Sequence, residues 1–300
     1  MLYFLLILMV LVSVAFTTLL ERKLFGYMQI RKGPNKVFSK GLVQPLLDGF
    51  KLLVKENYSG FIVNKGFFFL FPSIFFLLML LFWSIFFTNS VVSISMMLIY
   101  FIVLSGLGVY GVLGSGWSSN SKFSLMGCYR SVAQTVSYEV SMVFFFLLII
   151  FFNKSFSFIG ILDFSSFSVM NLFLMYLVFF IWFIILLAEL NRSPFDFAES
   201  ESELVSGFNT EFGSGKFVLL FLSEYGNMIF MCFIIVIFFV NQFFLFMIIF
   251  MIFMMIGVRG TLPRFRYDNL MYMNWNIFLP LSLLMLMVFF NLETCMKIKM

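Results

Sequence analysis

The sequence predicts an all-α integral membrane protein, a bundle of about eight transmembrane helices with an amphipathic helix in its first loop. Three observations carry this. Of the residues, 62% are hydrophobic and only 11% charged, against roughly 25% charged in a typical soluble domain. Apolar runs of about 20 residues, the length that crosses a hydrocarbon core, recur along the whole chain. The basic residues are segregated into alternate loops. With no polar half left to fold separately, residues 1–300 are expected to form a single membrane domain.

The expected spans are 2–20, 66–88, 94–114, 136–152, 171–189, 217–240, 243–258 and 277–292, the fourth and seventh being short. The first lacks a basic leader and a small-residue cleavage site, so it reads as a retained helix and not a signal peptide. Of the 19 Lys and Arg, all but Lys154, Lys297 and Lys299 fall in loops after odd-numbered spans. Positive residues stay on the side of insertion, so both termini should lie on the opposite side. The net charge of +5 is thereby a topology signal plus attraction to anionic lipid, and a nucleic-acid partner is not needed to explain it.

Histidine is absent, and Cys128, Cys232 and Cys295 are scattered without a CxxC pair. Haem, iron–sulfur and structural zinc sites need ligands of these types. No metal or resident cofactor is therefore expected, and any redox role would run through a partner or a diffusing substrate.

In the first loop, Val43, Leu46, Leu47, Phe50, Leu53 and Val54 recur at helical spacing, with Gln44, Asp48, Lys51 and Lys55 opposite. Such a helix either lies flat on the bilayer or walls a lateral opening for a lipid-soluble ligand. Before it, ERKLFGYMQIRKGPNK (Glu21 to Lys36) places a Gly33-Pro34 turn among basic residues. Positive-inside anchoring accounts for most of these charges but not for the order of Arg22, Arg31, Gly33, Pro34 and Asn35.

After the fifth span, LAELNRSPFDFAESESELVSGFNTEFGSGKF (187–217) sets Glu189, Asp196, Glu199, Glu201, Glu203 and Glu211 against a single Arg192. Crowded carboxylates oppose one another's ionisation, which suits proton exchange. A solvated acidic loop is the plainer alternative. A helix over 195–205 would put Asp196, Glu199 and Glu203 on one face, and Gly207, Gly213 and Gly215 would leave the remainder mobile. Glu139, Glu189 and Glu224 fall inside or at the ends of spans, each beside hydroxyl or amide residues. An ionised carboxylate at mid-membrane costs about 2.5–3.5 kcal/mol on insertion scales, so such residues usually face protein or water and mark ion pathways; the alternative is ordinary helix-end charge. In VRGTLPRFRYDNLMYMNW (258–275), Arg259, Arg264 and Arg266 sit with Tyr267, Tyr272 and Trp275. Interfacial anchoring explains the aromatics, and the arginines are placed either to anchor or to pair with carboxylates.

LLERKLFGYMQIRKGPNK, GWSSNSKFSLMGCYRSVAQTVSYEVS, AELNRSPFDFAESESELVSGFN and RGTLPRFRYDNLMYMNW resemble, in this order, the motifs of the chain 1 family of NADH:ubiquinone oxidoreductase, the quinone-site membrane subunit of respiratory complex I. The resemblance covers essentially the whole chain. It implies a tilted bundle that supplies much of the ubiquinone tunnel and links quinone reduction by NADH to proton translocation. NADH, FMN and iron–sulfur clusters would reside in partner subunits of the hydrophilic and membrane arms, with ubiquinone as substrate and lipids around. Arg22, Arg31, Asp48, Phe50, Arg192, Asp196, Phe197, Glu199, Glu201, Glu203, Glu211, Tyr225 and Arg264 become candidates for the quinone tunnel and its loops. Tyr138, Glu139, Glu189 and Glu224 become candidates for a proton pathway. The Phe-rich composition, short termini and four Ala suit an organelle genome, hence the mitochondrial inner membrane. Ser200, Phe212 and Lys216 depart from the family's expected Gly, Tyr and neutral residue. From the buried carboxylates alone, a proton- or cation-coupled membrane carrier stands as the alternative.

Overall fold

The computed structural model describes residues 2–56, 60, 63–91, 97–153, 169–197, 207–239 and 244–298, and every described element is helical. The elements are α1 (Leu2–Met28), α2 (Gln44–Val54), α3 (Lys65–Val91), α4 (Met97–Ser119), α5 (Lys122–Asn153), α6 (Val169–Glu189), a 3₁₀ turn (Gly207–Asn209), α7 (Ser214–Phe239), α8 (Phe244–Thr261) and α9 (Tyr267–Met273). From α9 the chain passes through a π turn (Asn274–Phe278) into α10 (Leu279–Ile298). Six helices among the described residues are long and apolar enough to cross a membrane, with shorter apolar helices at Tyr176–Glu189 and Leu245–Thr261.

Two helices outrun their apolar cores. α1 continues past Leu20 through the charged ERK to Met28, and α5, expected to be short, has 32 residues because it begins at Lys122. The first half of α5 is polar in sequence, yet Ser131, Ser137 and Ser141 each return their hydroxyl to the carbonyl three residues earlier at 2.8 Å. A hydroxyl satisfied by its own helix can be buried without a partner elsewhere, so these residues do not end the helix. They pack inward.

Lipid tails are as apolar as leucine, so packing and close backbone approach, not hydrophobicity, hold such helices together. The glycines of α4 supply that approach. A side chain at Gly111 would begin 2.9 Å from Phe75, and one at Gly114 would strike the Phe71 ring. Deeper in, the fully buried Trp182 of α6 meets Phe146 of α5 edge-on at 4.7 Å and Phe238 of α7 at 5.9 Å. Edge-to-face pairs add about 0.5–1.5 kcal/mol each beyond burial. A chain with 49 Phe is built to use them.

The segments carrying most of the basic residues meet at one end of the bundle. Arg22 at the end of α1 binds Asp48 of α2 at 2.5 Å, and the Phe265 N–H after α8 donates to the Pro194 carbonyl after α6 at 3.0 Å. Gly207, expected to loosen its loop, is instead buried with φ +53° and lies against Gly127 of α5. Its missing side chain is a condition of contact there.

In sealed membranes, Lys36→Cys and Leu262→Cys should react with an impermeant maleimide from the same face, and Lys154→Cys only from the other. Labelling of all three from one face would overturn the eight-span topology.

Candidate functional site

At that basic end, α1, the turn after α6, the first half of α7 and the end of α8 enclose a line of charges. Glu21 is its centre. Val10, Val14, Thr17 and Glu21 are all buried and recur along one stripe of α1, so Glu21 occupies a core-facing position although Arg22 and Lys23 follow it. Its carboxylate accepts a hydrogen bond from the Tyr225 hydroxyl of α7 on one oxygen and from Arg259 of α8 on the other. The Arg192 guanidinium lies 4.2 Å over the Tyr225 ring and 3.6 Å from Glu224. Arg264 stands 3.8 Å from the buried Asp196. Alternating charges of this kind are tolerable in an apolar setting because each has an opposite neighbour.

Three cavities lie along the line. The outermost is an open basin of about 360 Å³ whose wall includes Phe25, Met28, Leu262 and Pro263 beside Ser193, Arg259 and Arg264. A small cavity of about 10 Å³ follows, walled by Glu21, Arg192, Arg259 and apolar side chains. The innermost, of about 80 Å³, is lined by Ser105, Thr135, Glu189, Asn191, Arg192, Glu224 and Asn227 with apolar neighbours. Arg259 belongs to the first two cavities and Arg192 to the last two. At about 15 Å³ for one water centre, the innermost has room for several waters.

Its polar wall asks for them. Oε2 of Glu189 and the amide oxygens of Asn191 and Asn227 are buried without a hydrogen-bond donor among the described residues, a state that interior water commonly relieves. On the far wall, Ser105 gives its hydrogen to the Ile102 carbonyl at 2.8 Å and lies 3.4 Å from Oε1 of Glu139. The same hydroxyl can instead turn its hydrogen to that carboxylate. That carboxylate rests against the α4 backbone, 2.9 Å from where a side chain on Gly106 would start.

Of the residues singled out in sequence, Arg192, Asp196, Glu189, Glu224, Tyr225 and Arg264 converge on this line, and Glu139 joins it through Ser105. Phe197 is buried beside them, its ring 5.9 Å from Tyr267. Others stand apart. Tyr138 turns toward α9 and spends its hydroxyl on the Leu270 carbonyl at 3.1 Å. Arg22 and Asp48 join α1 to α2, while Arg31, Phe50 and Glu211 are exposed. Glu199, Glu201 and Glu203, and most of the helix expected over 195–205, lie outside the described residues; 195–197 form no helix. Of the departures, Phe212 stacks on Phe68 at 4.2 Å and Lys216 reaches 4.3 Å over the same ring, while Ser200 lies outside the described residues.

Arg259, expected either to anchor or to pair with a carboxylate, pairs with Glu21, and Glu21 itself is not among the sites expected from the sequence. Glu21 had a legible signal in its i, i+4, i+7 and i+11 spacing from Val10. Ser105, Asn191 and Asn227 had none, since short polar residues in apolar spans are common.

The NADH dehydrogenase family profile matches residues 1–290. The chain belongs to this family. It is 45% identical over 295 residues to NADH-ubiquinone oxidoreductase chain 1 of Anopheles gambiae, covering 96% of this chain and 94% of that one. Identity is 46% over 292 residues to the same chain of Rhipicephalus sanguineus, at 95% and 91% coverage. For Strongylocentrotus purpuratus it is 42% over 287 residues, at 91% and 89%.

Breaking a buried ion pair on one side leaves the other charge stranded, at about 3–5 kcal/mol, whereas removing both charges is often near neutral. Glu21→Leu alone should therefore lower the thermal stability of this family member in solubilised membranes clearly. Glu21→Leu with Arg259→Met should recover most of it. Additive losses in that cycle would mean the pair does not hold α1 to α8.

Proposed function

We propose that this membrane subunit of NADH:ubiquinone oxidoreductase forms much of the ubiquinone tunnel and couples quinone reduction to proton translocation across the mitochondrial inner membrane. The observation that supports this best is the succession of three cavities, neighbours through Arg259 and then Arg192, from the open basin to the carboxylates within the bundle. Other hydrophilic-arm and membrane-arm subunits are its partners, and they hold the NADH site, FMN and iron–sulfur clusters. Ubiquinone is the substrate that meets this chain.

The basin matches the chemistry of a quinone. Phe25, Met28 and Leu262 offer apolar surface to rings and isoprenoid carbons, and Arg259 and Arg264 offer donors to carbonyl oxygens that become negative on reduction. Ubiquinone takes up two electrons and two protons to become the quinol. Electrons come from the partner subunits, and protons must reach the two oxygens from nearby acids. Asp196, beside Arg264, is a carboxylate held next to one of the basin's arginines. Any charge gained or lost at the basin is felt by Arg259 and Arg264 and, through Glu21, Tyr225 and Arg192, by Glu224. Glu189 and Glu139, on the cavity beyond, then exchange protons over water.

A self-sufficient proton- or cation-coupled carrier would need only the inner cavity. The basin, its arginines and the family match over residues 1–290 favour the subunit reading.

Asp196→Asn, like Glu199→Gln in the same loop, should slow quinone reduction by roughly a hundredfold or more, within the usual range for losing an acid or base. Reduction of an artificial hydrophilic acceptor, which needs only the other arm, should persist in assembled complex. A parallel fall of both activities at full assembly would place the loop in electron entry instead. Glu139→Gln and Glu224→Gln keep size and hydrogen bonding but cannot release a proton near neutral pH. Each should lower coupled turnover with little change in quinone affinity, and the double variant should add little, as expected of residues that act as a unit. Fully additive losses, or intact pumping in either single variant, would leave these as helix-end charges.

A further inference from the structure

Gln134 of α5 is fully buried, and its amide nitrogen donates to two main-chain carbonyls on another element: Ala188 at 2.7 Å and Phe195 at 2.9 Å. Those carbonyls bracket residues 189–194, the turn that carries Glu189, Asn191 and Arg192 into the inner cavity. The orientation of the amide is chemically fixed. Two acceptors demand both hydrogens of an NH₂ group, and the amide oxygen is left without a donor among the described residues. Ala188 is also in the last turn of α6, where its carbonyl accepts the Asn191 N–H at 3.2 Å as well, so Gln134 adds a second donor to the helix end from the side. On α5 itself, Thr135 lines the cavity, and Glu139 stands five residues on, about 7.5 Å along the axis.

We infer that Gln134 is a positioning residue for the proton path: by tying both ends of the 189–194 turn to α5, it sets the spacing of Glu189 and Arg192 from Glu139. This rests on the relay reading above. Gln134 contacts neither quinone nor proton; it acts through where Glu189 and Arg192 stand. The turn has local bonds of its own, such as the Arg192 N–H to the Leu187 carbonyl at 3.3 Å and the Phe195 N–H to the Arg192 carbonyl at 2.8 Å. These shape the turn without fixing it to α5. The glutamine does so, with a side-chain hydrogen bond at each end.

The test uses assembled complex carrying Gln134→Met, which keeps the volume and removes both donors, and Gln134→Asn, which keeps the amide one methylene short of full reach. A displacement of about 1 Å costs up to a hundredfold in rate, so Gln134→Met is expected to lower coupled turnover about tenfold and Gln134→Asn by less. The KM for quinone and the rate with a hydrophilic acceptor should stay within about twofold. Because Gln134 acts through Glu189, adding Gln134→Met to Glu189→Gln should lower turnover no further than Glu189→Gln alone. Losses that multiply, a raised KM at unchanged kcat, or failure of both variants to assemble would overturn the assignment. Slow Glu189→Gln beside normal Gln134→Met overturns the positioning role alone. A silent Glu189→Gln overturns the relay, and the positioning role falls with it.

Discussion

The pairing of Glu21 with Arg259 and Tyr225 is the constraint on which the polar end of this bundle depends. A charge taken into a low-dielectric interior costs several kcal/mol even after relaxation, and only an opposite charge with good hydrogen bonds offsets it. The partners here come from α1, α7 and α8, so satisfying the charges fixes the relative depth of those helices. α1 must stay helical beyond its apolar stretch to carry Glu21 to its partners. Arg192 must fold back over Tyr225 to reach Glu224. Remove the central carboxylate and Arg259 loses its buried acceptor, while Tyr225 loses the one given to its hydroxyl.

The apolar half of the molecule supplies rigidity by a different means. Phenylalanines seat on glycine backbone between α3 and α4, and Trp182 is clasped edge-on by rings from α5 and α7. Such interlocking tolerates little sliding. That matters for the inner cavity, which lies between α4, α5, α7 and the end of α6: acceptors such as Glu189 Oε2 keep their separation because the helices behind them cannot shift in register. Stiff packing on one side permits sparse hydrogen bonding on the other.

Much of this was legible in the sequence, and the failures have physical causes. Hydropathy located the apolar runs, but it ended α1 at Leu20 and began α5 near residue 136, because it counts a serine or a glutamate as exposed. In a helix whose hydroxyls bond their own backbone, as at Ser131 and Ser137, polarity does not mark an end. Motif order indicated the family, which the profile match over residues 1–290 shows. The carboxylates of the spans were visible because charge is rare there. Glu21 hid among neighbouring basic residues, where anchoring seemed explanation enough. Gln134 is invisible in sequence: a lone amide becomes informative only when two carbonyls from distant chain positions, 54 and 61 residues away, are found at its nitrogen.

The carboxylates divide into two kinds, and the division bears on how the proposed coupling works. Glu21, Glu224 and Asp196 each stand beside an arginine. A guanidinium stays charged at any relevant pH, so each of these carboxylates sits in the field of a fixed positive charge. On the proposed reading, they carry the basin's charge changes inward as well as exchanging protons. Glu139 and Glu189 have a different setting: Ser105 lies beside the first, and Glu189 lines a cavity with uncommitted amide oxygens. On the proposed reading, then, quinone chemistry perturbs the arginine-bound set at the basin, and the perturbation is read out where no arginine pins the charge. On the same reading the boundary between the two sets is the turn 189–194, with Arg192 belonging to one and Glu189 to the other, so the fixation of that turn to α5 would govern how strongly they are coupled.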